Sequence, residues 1–87
     1  MTVALMWEAR AVPGRGEELL AWARAQELAV RPLRRETLRA PGDRVLVITW
    51  WDAEIDVELP ELPEPDGELV TRAVHRWRFE SVDVWTG

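Results

Sequence analysis

Two adjacent tryptophans, Trp50 and Trp51, close the most strand-like run of the chain, residues 45–51, in which Val45, Leu46, Val47, Ile48 and Thr49 precede them. Successive residues of a strand point to opposite faces of a sheet, so one indole must leave each side. Both faces then need a cover. A helical layer can cover one of them, but 87 residues leave little chain for the second, and a partner subunit is implied. A single domain of this size buries only about 60–65% of the surface its unfolded chain exposes. Neither disulfides nor a structural zinc site can compensate, because there is no Cys and only one His. Six Trp fit the remaining means, a heavy aromatic core and oligomerisation.

All eleven basic residues are Arg, and Lys, Asn, Tyr and Cys are absent. This usage reads as the codon bias of a GC-rich, bacterial genome. The first residues lack a basic stretch and a small-residue cleavage site, and no apolar run approaches the roughly 20 residues that span a bilayer. A soluble, cytoplasmic protein is expected. The net charge of -5 disfavours nucleic acid and anionic membrane as partners. Residues 52–68 hold eight of the sixteen acids and no Arg, while residues 31–44 hold five Arg against two acids. The acidic segment is either a solvated loop or a layer on an Arg-rich surface of its own or a partner subunit.

Residues 3–12 alternate as a strand, with Val3, Leu5, Trp7, Ala9 and Ala11 on one face and a half-apolar second face. Pro13, Gly14, Arg15 and Gly16 make a turn, and Glu17 and Glu18 place carboxylates where a helix start favours them. The helix is expected to run to about residue 30, since Pro32 disfavours helical geometry at Arg31. Leu19, Trp22, Ala23, Gln26, Ala29 and Val30 share one side of it. Residues 34–39 and 44–51 form a hairpin across a four-residue loop.

Between them and the last strand, three prolines within residues 60–65 exclude a continuous helix or central strand. Ile55, Val57 and Leu59 alternate with acids there, which predicts an extended arm with those three facing down, followed by a single helical turn near residues 68–71. Residues 73–85 read as the last strand, with His75, Trp77, Phe79 and Ser81 on one face. The order is β-α-β-β-arm-β over one domain, residues 1–87. It is the ferredoxin-like α+β unit with an irregular segment in place of its second helix.

The turn and helix start at residues 12–20, and the run from Arg44 to Trp51-Asp52, resemble the antibiotic-biosynthesis-monooxygenase-like (ABM-like) family of dimeric α+β barrels. In that family a Pro-Gly-basic-x-acidic turn opens the first helix and a Trp-acid pair ends the third strand. The similarity covers roughly residues 3–52. It implies a homodimer whose sheets pack face to face, with a pocket between each sheet and its helices, and an activity such as cofactor-independent monooxygenation of an aromatic substrate. The family's haem-degrading branch places a His on the second helix and an Asn on the first strand. This chain has Trp7 on that strand and no Asn, so no cofactor is expected.

Histidine is the side chain best suited to proton transfer near neutrality, and the only one is His75, the candidate catalytic base or else a hydrogen-bonded rim residue. Trp7, Trp22, Gln26 and Trp51 are the candidate substrate-binding residues, for a small apolar or aromatic ligand. The same residues also serve packing, with Gln26 pairing to a backbone carbonyl or Thr49. No metal site is expected from one His and scattered carboxylates. The lone Ser81 lacks a nucleophile elbow, and Glu17 and Glu18 would repel phosphate beside Gly14 and Gly16; Arg76, Trp77, Arg78 and Phe79 resemble the base-stacking strand of an RNA-recognition domain, but the third strand lacks the Gly-aromatic pattern of such domains and the net charge is of the wrong sign. Three functions follow as expectations: an oxygenase-like enzyme, a non-catalytic ligand binder, or an assembly module with a fully packed interior.

Overall fold

The computed structural model describes residues 1–87. It comprises β1 (Thr2–Arg10), α1 (Gly16–Ala25), β2 (Arg34–Ala40), β3 (Arg44–Asp52) and β4 (His75–Glu80). The four strands form one antiparallel sheet in the order β2-β3-β1-β4. The helix and the irregular segment after β3 lie on one face of it, an α+β arrangement.

The strands follow from period-two patterning. Val3, Leu5, Trp7 and Ala9 of β1 are buried, as are Val45, Val47, Thr49 and Trp51 of β3, while their alternate neighbours are only partly covered. Direct pairing of Val3 with Trp51, Leu5 with Thr49 and Trp7 with Val47 sets these two rows side by side. Leu19 and Ala23 of α1 pack onto them. A fully buried leucine such as Leu19 contributes about 1.5–3 kcal/mol.

Several local expectations are corrected. The helix stops at Ala25, about a turn short of residue 30, because its terminal carbonyls find partners outside the helix. The Arg35 guanidinium donates to the carbonyls of Ala23 (2.7 Å) and Gln26 (2.6 Å), and the Gln26 side chain donates to that of Trp22 (3.0 Å). Gln26 is thus the C-cap, in extended geometry, and not the centre of an apolar helix face; Ala29 and Val30 are exposed. The β2–β3 hairpin pairs Ala40 with Arg44 across three residues, where a four-residue loop had been expected. Gly42 (φ 83) and Asp43 (φ 59) both take left-handed geometry there, and this absorbs the tighter reversal. Asp43 also ties the hairpin to the helix start: its carboxylate accepts from the Gly14 N–H at 3.1 Å, and a Cβ on Gly16 would lie 2.6 Å from that carboxylate.

Residues 53–66 form a strap across the covered face, but its anchors are not the three predicted. Ile55 and Val57 are exposed; Leu59 packs beside Trp51, and the buried positions are Leu62 and Pro65, with Leu69 beyond. Alternation fails because the strap is fastened by β4. Arg78 donates to the carbonyls of Ile55 (2.8 Å) and Val57 (2.5 Å), and Arg76 to that of Leu62 (2.7 Å) while lying 3.7 and 3.8 Å from Glu61 and Glu64. The acidic segment therefore rests on the arginines of β4 and not on those of residues 31–44. Residues 67–69 make a turn, not a helical one, closed by Leu69 N–H donating to the Asp66 carbonyl at 2.9 Å. The last strand is six residues long instead of thirteen because β1 runs out: Ser81 N–H donates to the Thr2 carbonyl at 2.8 Å, and no strand residue of β1 lies beyond.

Candidate functional site

The sheet divides the predicted site residues between its two faces. Trp7, Trp22 and Trp51 lie on the helix side. Trp7 stacks on Trp22 with ring centroids 5.8 Å apart and planes inclined by 22°, whereas Trp51 belongs to a second cluster with Val3 and Leu5. Leu28 touches both clusters. Trp51 donates its indole N–H to the Thr49 hydroxyl at 2.8 Å, so Thr49, buried in the same row, holds that ring in place. The Trp7 indole N–H is buried without a hydrogen-bond partner. The space beside it, bounded by Leu5, Val47, Thr49 and Leu62, amounts to about 10 Å³, at most the room of one water.

His75 is on the other side. It pairs with Glu8 across β1 and β4, and paired residues share a face. Its Nδ1 lies 3.5 Å from a Glu8 carboxylate oxygen, and its ring meets Trp77 edge-on at 5.5 Å. Arg72 donates from a single guanidinium nitrogen, Nη2, to both oxygens of the same carboxylate, at 2.6 and 2.8 Å. Glu8 and Arg72 thus form an ion pair with His75 beside it at one corner of the sheet, and the Trp residues proposed to share a pocket with His75 are separated from it by the sheet itself. Glu8 and Arg72 were not singled out in the sequence. The only signal was Glu8 following the apolar Ala4 and Met6 in the half-apolar second row of β1.

The rest of that open face is apolar and uncovered. Reading across from β4 to β2, the register places Phe79, Ala4, Trp50 and Arg34 in one row, then Trp77, Met6, Ile48 and Glu36, then His75, Glu8, Leu46 and Leu38. Trp77 and Phe79 remain 44% and 49% exposed, large values for aromatic rings in a sheet. Arg34 lies over the Trp50 ring at 4.9 Å. Polar and charged groups stand at the margins, at Glu8, His75, Arg34 and Glu36, with Arg10 and Arg44 in the next row.

A polar hollow of about 290 Å³ lies between the start of α1 and the β2–β3 hairpin. Its charged groups already have partners: Arg39 with Glu17, Arg44 with the Pro41 carbonyl, and Asp43 with Gly14. No cluster of His, Asp and Glu is arranged to hold a metal ion. No helix is long and apolar enough to cross a membrane. Compared with known protein families, curated proteins and solved structures, the chain matches none of them.

Proposed function

We propose that this chain is an assembly module, a homodimer in which two ferredoxin-like sheets pack open face to open face as a dimeric α+β barrel. The observation that carries this reading is the continuous apolar surface built by Met6, Leu46, Ile48, Trp50, Trp77 and Phe79, rimmed by charge and left without a cover by its own chain. An exposed apolar patch of that kind marks an interaction surface. The strand order β2-β3-β1-β4 around a single helical crossover supports the ferredoxin-like assignment, with the strap standing where a second helix would pack.

Oxygenase-like and ligand-binding readings need room for an aromatic ring among Trp7, Trp22 and Trp51. The space beside Trp7, lined by Leu5, Val47, Thr49 and Leu62, is about 10 Å³; Trp22 stacks directly on Trp7 and Trp51 packs apart from them, with Val3 and Leu5. The packed interior favours assembly over small-molecule chemistry. Light scattering on the purified protein tests this: a mass of two chains at micromolar concentration is expected, and a stable monomer would overturn it.

A further inference from the structure

The open face ends in two arginines set side by side. Arg10 is the last residue of β1 and Arg44 the first of β3, and the two are direct cross-strand partners, a relation that brings Cβ atoms within about 4.5–5.5 Å of each other. Like charges placed in this way repel and weaken a sheet. No acid completes the row, because Ala40 is the partner of Arg44 on β2 and β4 begins one row earlier, with His75 opposite Glu8. Both arginines are exposed, and neither takes part in any ion pair of the chain.

Two unpaired guanidinium groups in water would be expected to splay apart, yet these lie against the same turn. Arg44 donates from Nε to the Pro41 carbonyl at 3.1 Å. Arg10 lies over the next residue, where a Cβ on Gly42 would stand 3.6 Å from its Nη2 and 4.0 Å from its Cζ. The acids nearby are committed elsewhere. Asp43 gives its carboxylate to the Gly14 N–H at 3.1 Å, Glu17 pairs with Arg39, and Glu8, two residues before Arg10 on the same face, is taken by Arg72.

We propose that Arg10 and Arg44 bind a phosphate group at the β2–β3 turn. A guanidinium presents its N–H donors in a planar fork that matches the oxygens of such a group, and a dianion neutralises both arginines at once where a carboxylate would neutralise one. The site lies at the rim of the open face and does not depend on the homodimer.

The test titrates the isotope-labelled full chain, followed by amide NMR, with inorganic phosphate and separately with glycerol phosphate, ionic strength being held with sodium chloride. The Gly42 and Arg44 amides are expected to shift saturably, with half-saturation on the order of 1–10 mM. Arg10→Gln and Arg44→Gln, both at exposed positions, each weaken binding at least about 5-fold, whereas Arg24→Gln, which removes an exposed charge from α1, leaves it unchanged. Phosphate binding at least as tightly as the ester assigns the free ion, and tighter binding of the ester assigns the phosphate group of an organic molecule. Shifts that chloride reproduces, that fail to saturate, or that persist in either of the two arginine variants overturn the site. So does a dimer that weakens in those variants while phosphate shifts nothing, since the pair then meets a carboxylate of the partner.

Discussion

The two faces of this sheet carry comparable amounts of apolar side chain and meet different fates. On the helix side, Val3, Leu5, Trp7, Val45, Val47 and Trp51 are buried under α1 and the strap. On the other side, Ala4, Met6, Ile48 and Trp50 are only partly covered, Trp50 by Arg34, and Trp77 and Phe79 stand open. The difference teaches that period-two patterning reports what a strand is able to bury, not what its own chain supplies to bury it. A second row as apolar as the first is a request for a partner.

The sharpest way to break that comparison is to place the same charge on each face at neighbouring positions. Val47→Asp sets an unpaired carboxylate in the packed interior, and unfolding is expected, since the cost of several kcal/mol approaches the stability of a small domain. Ile48→Asp is expected to give a folded monomer. Circular dichroism read beside light scattering distinguishes them, and a dimeric Ile48→Asp protein would remove the open face from the assembly.

Smaller effects sharpen the contrast. Thr49→Val keeps the volume but leaves the Trp51 indole N–H without its acceptor, so a loss of about 1–3 kcal/mol in chemical denaturation is expected. On the open face, Glu8→Gln weakens the ion pair with Arg72 at a partly covered site, and a loss of about 1 kcal/mol is expected. A much larger loss would mean that this corner acts as core and not as rim. Trp7→Phe is expected to change stability least, within about 1 kcal/mol. It gives up ring area but also removes a buried donor that has no partner, a group that costs about 1–3 kcal/mol to bury.

The legible parts of the fold were those written in local periodicity. The alternation of residues 3–9 and 45–51, the turn at residues 13–16 and the acids at the helix start all lead to the elements observed. What was not legible depended on distant partners. The early end of α1 comes from Arg35, nine residues beyond Gln26. The strap's anchors are chosen by Arg76 and Arg78, which take backbone carbonyls and so override its alternating apolar residues. The end of β4 is decided by where β1 begins. For the candidate site, residue types were visible but their sides were not: His75 and Trp7 sit on adjacent strands, yet a single step in register decides that they face opposite ways.

The strap has a consequence for how the molecule breathes. From Glu58 to Asp66 no backbone N–H donates to another backbone group, so this segment is held by Arg76 on the Leu62 carbonyl, by the Val74 N–H on the Glu64 carboxylate and by the burial of Leu62 and Pro65. Opening it breaks no rung of the sheet. Amide exchange should therefore resolve two cooperative units, a slow one comprising β1 and β3 and a fast one covering residues 58–66. Each fast opening would briefly expose the Trp7 edge to solvent, giving that unpaired indole N–H a water to bond.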